Sequence, residues 1–170
     1  AFYSCSSLET FLPETLPNVT SMGQNTFQYC NSLASSMFLP AVTKLEYQVF
    51  EGVACEEISI PSCTNMEGAC FYGSKVKKIT HSPDVQLNGH VFYTCAELEE
   101  LVPGKFRSLK KLNSNTFLGC NKLKSLDFTG STITSIEFNS VKWLYGMEHL
   151  VLPETLTYMG NWSFFNEIGT

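Results

Sequence analysis

Apolar and polar positions alternate along this chain in a pattern that returns at nearly constant spacing. Seven times an apolar residue stands five positions before a larger side chain, in most cases Phe. The pairs are Met22–Phe27, Leu45–Phe50, Met66–Phe71, Leu87–Phe92, Leu112–Phe117, Ile136–Val141 and Met159–Phe164. Counted from Phe2, the second members step by 25, 23, 21, 21, 25, 24 and 23 residues. A period in this range marks one supersecondary unit stacked on itself.

Aligned on the Phe, each unit reveals further fixed columns. Three residues on stand Cys5, Cys30, Val53, Ser74, Cys95, Cys120 and Leu144. About three further come Leu8, Leu33, Cys55, Val76, Leu98, Leu123 and Met147, then Phe11, Ile58, Ile79, Leu101, Leu126 and Leu150. Only the second unit slips there, with Ser36 in register and Met37 beside it. A proline follows in most units (Pro13, Pro40, Pro61, Pro83, Pro103, Pro153). Val19, Val42, Leu109, Ile133 and Leu156 precede the opening apolar residue by three, where Cys63 and Asp84 depart. No 3.6-residue period survives, and the apolar sites fall in short bursts of the strand type. A unit this short cannot enclose its own apolar face, so equivalent residues must form ladders between neighbouring coils. Pro closes one corner of each coil, and Gly- or Asn-rich pieces such as Gly23-Gln24-Asn25 and Asn113-Ser114-Asn115 close another.

The segments Phe27-Gln28-Tyr29-Cys30-Asn31-Ser32-Leu33, Phe117-Leu118-Gly119-Cys120-Asn121-Lys122-Leu123 and Leu150-Val151-Leu152-Pro153 resemble the BspA-type leucine-rich repeat, and the resemblance runs the length of the chain. It implies an α/β repeat solenoid, predominantly β: a right-handed coil of about seven units of 21–25 residues with short parallel strands on one face. Residues 1–170 are expected to be a single leucine-rich-repeat solenoid segment, truncated at both ends, because no capping unit is visible. Uncapped ends expose strand edges, so end-to-end self-association is expected. From the family come extracellular or cell-surface localisation, protein partners with host or matrix proteins among them, and a role in adhesion.

Composition narrows the alternatives. Charged residues make up 16% of the chain, below the ~25% usual in soluble domains. The net charge of −5 and the lack of any basic cluster beyond Lys75-Val76-Lys77-Lys78 argue against nucleic acid. No apolar run is long enough for a membrane span. The seven cysteines are an odd number, and four share one column. At a coil spacing of about 4.8 Å a disulfide between stacked cysteines is geometrically open, but a reduced, buried ladder is the simpler reading. Cys55, Cys63 and Cys70, with His81 and His90 nearby, could suggest zinc, yet they lack the close Cys pair of structural sites and all three cysteines occupy packing columns. No catalytic residue, metal site or cofactor is expected. Neighbouring acids such as Glu56-Glu57 and Glu99-Glu100 read as a solvated face. The sequons Asn18-Val19-Thr20 and Asn161-Trp162-Ser163 would accept glycans only in a eukaryotic secretory source.

Strand side chains alternate, so residues flanking the inward apolar position face outward. This predicts a stripe of Glu57 and Ser59, Lys78 and Thr80, Glu100 and Val102, Ser125 and Asp127, and His149 and Val151, extended by Thr10 and Leu12. Such a row is how repeat proteins present a binding surface. Trp143-Leu144-Tyr145 and Trp162 with Phe165 read first as substitute packing around Val141, and second as a partner surface. The expected function is a non-catalytic interaction and adhesion module. The alternative is a rigid spacer or scaffold of a larger protein, including one attached to an enzyme outside this chain.

Overall fold

The computed structural model describes residues 2–11 and 15–164. Pro13, Leu12 and Phe165 lie outside the described residues. Among those described there is no helix; the chain winds as a β-solenoid of about six turns, with twelve short strands in two columns. One column holds β2 (Met37–Phe38), β4 (Glu57–Ile60), β6 (Lys78–His81), β8 (Glu100–Val102), β9 (Ser125–Asp127) and β11 (His149–Val151). The other holds β1 (Ser21–Met22), β3 (Lys44–Leu45), β5 (Asn65–Met66), β7 (Gln86–Leu87), β10 (Ser135–Ile136) and β12 (Tyr158–Met159). Every strand pair is parallel; pairing runs unbroken through β2-β4-β6-β8 and β1-β3-β5-β7, and again within β9–β11 and β10–β12.

A third ladder runs along the Phe arcs without regular strands. Asn25, Phe27 and Tyr29 donate their N–H groups to the carbonyls of Tyr47, Val49 and Glu51 at 3.0, 2.8 and 2.8 Å. Gln48, Phe50 and Gly52 do the same one coil on, to Gly68, Cys70 and Tyr72. Both flanks of the Phe are left-handed: φ is 59° at Asn25 and 60° at Tyr29, 57° at Gln48 and 69° at Gly52. The Asn-rich pieces read as corners supply the first of these positions at Asn25 and Asn115, and Asn139 supplies it in a further coil. Glycine supplies the second at Gly52, Gly73 and Gly119. Both residue types tolerate positive φ, which explains their recurrence there.

The central requirement, a single buried file of aromatic rings, is met. From Phe2, exposed at the head of the file, through the buried Phe27, Phe50, Phe71, Phe92 and Phe117, successive ring centroids are 5.1, 5.8, 5.3, 5.6 and 5.3 Å apart. Neighbouring planes lie within 20° of parallel, the offset-stacked arrangement that aromatic quadrupoles favour. The Cys/Val/Ser and Leu/Val/Cys columns bury beside this file, from Cys30 and Leu33 to Cys120 and Leu123. Cys5, in the first coil, is exposed.

Three local features were beyond the repeat shorthand. In the second unit Met37 pairs with Ile58, so the slip is a one-residue shift and Met37 fills the inward column. In the fourth, Asp84 stays outside and Val85 turns in one residue later. In the fifth, the longer unit leaves the strand column after β8: Val102–Pro103 is cis, Gly104 is left-handed at φ 73°, and Lys105 instead bridges Asp127. A Cβ on Gly104 would stand 3.1 Å from the Leu101 carbonyl oxygen. The excursion turns Phe106 inward, stacked on His81 at 5.0 Å, edge-on to Phe117 at 6.2 Å and tilted against Phe128 at 5.5 Å.

His81 is a buried member of an otherwise apolar column. One ring nitrogen bonds the Ser82 carbonyl at 2.7 Å, which assigns the proton to Nδ1, and Nε2 has no partner. Burial, only partly offset by the Ser82 bond, lowers its pKa below the usual 6.5.

Two outcomes are expected. Phe92→Ala should cost ~3–5 kcal/mol by leaving a cavity in the file, against about ±0.5 kcal/mol or less for Lys78→Ala, both measured by urea denaturation. Because the folded state holds His81 neutral while the unfolded chain protonates near 6.5, the contribution of His81 is complete above that pH. It is lost as pH falls below 6.5 towards the lowered folded value, and His81→Leu should flatten the denaturation midpoint across that window.

Candidate functional site

The outward residues of the first strand column form the candidate site. β4 and β6 alternate inside and outside, with Ile58, Ile60 and Ile79 buried and Glu57, Ser59, Lys78 and Thr80 half-exposed. Register pairs Glu57 with Lys78 and Lys78 with Glu100, and likewise Ser59 with Thr80 and Thr80 with Val102. Beyond the excursion, Ser125 pairs with His149 and Asp127 with Val151. The predicted row therefore exists as two blocks. β8 is not hydrogen-bonded to β9, so Glu100 and Val102 do not continue in register into Ser125 and Asp127. Thr10 is exposed in the first coil, where no strand forms among the described residues.

One member of the row was missed. Phe38 pairs with Ser59 and with Thr15, and its ring is 45% exposed. The Ser36–Met37 slip carried the signal: once Met37 is inward, Phe38 must be outward. Phe38 gives the row an aromatic anchor, which the residues expected there do not supply. Together with Thr15, Ser36, Met37, Glu57 and Ser59 it lines an open hollow of about 310 Å³.

Charges on this face neutralise one another between coils. The Lys78 ammonium lies 3.9 Å from Glu57 and 3.8 Å from Glu100. Lys105 lies 3.7 Å from Asp127. Hydrogen bonds from Thr129, with Lys105 nearby, hold the Asp127 carboxyl below its usual value. All these pairs are solvent-exposed, so they contribute little stability and set register more than strength.

The cysteines do structural work. Cys30, Cys95 and Cys120 point their thiols at the carbonyls of Phe2, Phe71 and Phe92, one coil back, at 3.0, 2.8 and 3.1 Å. Cys70 points at the Glu67 carbonyl at 2.7 Å, in the column where Thr26 and Thr116 bond Gly23 and Asn113 in the same way. These thiols occupy sites where a small apolar residue must also satisfy a carbonyl. Burial pushes Cys55 and Cys95 up to about 12 and Cys63 to about 11, the opposite of an activated nucleophile. His90 lies on the exterior, 2.9 Å from the Asn115 amide, and no cluster of metal-ligating groups occurs among the described residues.

The chain was compared with known proteins. The family model described as the BspA type leucine-rich repeat region matches residues 1–106 and 64–169. The chain belongs to the BspA-type leucine-rich repeat family. A leucine-rich repeat protein from Bacteroides ovatus superposes with a TM-score of 0.81 at 24% identity, over 96% of this chain and 42% of that one. The leucine-rich repeat protein of T. pallidum gives 0.70 at 21% identity, over 89% of this chain and 76% of its own. Opticin from Canis lupus familiaris is 28% identical over 79 residues, 41% of this chain and 24% of that protein. The chain thus spans about a quarter of that curated relative and under half of the B. ovatus structure. BspA-type repeats are a scaffold for protein interaction, and the family is in general non-enzymatic.

For this BspA-type chain the thiol arrangement gives a direct check. With the native fold intact, a thiol reagent at mildly alkaline pH should modify exposed Cys5 rapidly and the other six only on unfolding. Rapid reaction of all seven in the folded protein would contradict the buried column.

Proposed function

We propose that this chain is a non-catalytic interaction module that engages protein partners through the outward row of its first strand column. The observation supporting this reading is the row's construction: outward side chains in parallel register on a rigid frame, with Phe38 exposed at one end. Rigidity lowers the ordering cost of binding, and the self-neutralised charges favour a partner recognised by shape and hydrogen bonds. The family resemblance supports placement at a cell surface or outside the cell, with adhesion to host or matrix protein as the biological role. Residues 1–170 would then be one solenoid segment of a longer repeat array. Stacking of one copy's terminal coil on another's would be a secondary contact. The alternative, a rigid spacer, requires the frame but not the row.

The two readings separate on one experiment. Wild type and a Glu57→Ala/Lys78→Ala/Glu100→Ala/Asp127→Ala variant, each also with Phe38→Ala, are tested against a panel of purified extracellular-matrix proteins. A binding module should lose capture by about tenfold or more in the combined variant while its melting curve stays unchanged. Equal capture by all forms removes the strand row from the binding mechanism.

A further inference from the structure

Trp143 and Tyr145 were read first as packing around Val141, and the structure places them otherwise. Val141 and Leu144 are buried at 3% exposure and fill the Phe and Cys columns, while Trp143 is 37% and Tyr145 56% exposed. The cause is the backbone: Trp143 occupies the second left-handed position of its arc, at φ 58°, which turns its side chain away from the core. Gly52, Gly73 and Gly119 hold the equivalent position in other coils. Ser4, Tyr29 and Thr94 adopt the same positive φ at this position, so the arc imposes the conformation whatever the residue.

The two rings stand at one end of a ledge crossing three coils. Its floor is made by two short columns, Thr94 and Gly119 leading to Trp143, and Ala96 and Asn121 leading to Tyr145. Together the six line an open groove of about 440 Å³, within the ~300–1,000 Å³ range of small-ligand sites. Gly119 keeps the floor low, since its missing Cβ would already touch Thr94 at 3.5 Å. Asn121 is held from the next coil by the Gly146 N–H, which bonds its carbonyl at 2.8 Å. That contact admits no larger residue, because a Cβ on Gly146 would come within 2.8 Å of the same oxygen. The Asn121 amide itself is exposed on the floor. The Lys142 ammonium sits 4.7 Å from the Trp143 ring centroid, a contact that helps fix the indole.

We propose that this ledge is a binding site for a neutral saccharide. The lining has no charged side chain; nearby, Lys122 and Glu97 pair with each other at 2.7 Å, and the Lys142 ammonium is engaged by the Trp143 and Trp162 rings at 4.7 and 4.5 Å, so the charges around the ledge already have partners. Aromatic faces beside an amide and hydroxyls match a pyranose, which has an apolar C–H face and a rim of hydroxyl donors and acceptors. Six lining residues are far too few for a standard protein interface of ~1,600 Å². The ledge is separate from the strand row, and the two can succeed or fail independently.

The test is calorimetric titration of the 170-residue chain with maltotriose, cellotriose and N,N′,N″-triacetylchitotriose at millimolar concentrations. Saturable binding of at least one is expected, abolished in Trp143→Gly and weakened about threefold to tenfold in Asn121→Ala. Trp143→Gly should fold as well as wild type, because glycine is the residue found at this position in three other coils. Phe38→Ala, on the strand row, should leave the saccharide affinity unchanged. No saturable binding of any of the three, equal binding by folded Trp143→Gly, or binding of a proline-rich decapeptide in place of the sugars would overturn the proposal.

Discussion

Stacking between coils is the interaction on which every other feature rests. No coil has enough residues to surround its own Phe ring, so each buried ring is dry only because side chains of the neighbouring coils lie against it. The same dependence fixes the backbone. Three hydrogen-bond ladders run along the stack, the two strand columns interrupted beyond β7 and β8, and they satisfy groups that would otherwise be buried without a partner. Side-chain columns and backbone ladders therefore enforce one register, and a residue is inside or outside according to its place in the period, not its local propensity.

Most of this was legible because the period is carried by large apolar residues whose burial dominates. Phe27 to Phe117, the Leu columns and the outward residues of β4 and β6 all stand where the spacing put them. What escaped was local one-residue changes of phase. Asp84 and Val85, or Ser36, Met37 and Phe38, are alternatives between which a repeat template cannot choose. Pairing with the adjacent coil chooses, and it puts the apolar member inside. The left-handed positions escaped for a different reason. Positive φ at Gln48, Ala69 or Trp143 is imposed by the arc and its hydrogen bonds, and those residue types do not announce it. Only the Asn and Gly members of the same columns hint at the conformation.

The two candidate surfaces draw on the frame in different ways. The strand row takes its spacing from β-pairing, which delivers regular outward side chains of any type. The aromatic ledge takes its shape from the turns, where threonine in one coil, glycine in the next and tryptophan in a third produce a floor and a wall. One fold thus offers a broad, regular face and a small, irregular recess. The cysteines belong to neither. The thiols of Cys30, Cys70, Cys95 and Cys120 are spent on carbonyls inside the stack and are kept protonated there by burial.

The excursion at residues 102–105 leaves one neighbouring pair of coils with a thinner connection than the rest. Phe106 acts as a rivet across that joint, clamped between the imidazole of His81 and the ring of Phe128. In a quasi-one-dimensional protein each interface bears its own share of the stability, so a joint that has given up strand pairing leans on its side chains. Protonating His81 would set a charge against the face of the Phe106 ring, so acid would act on this part of the stack through that one side chain.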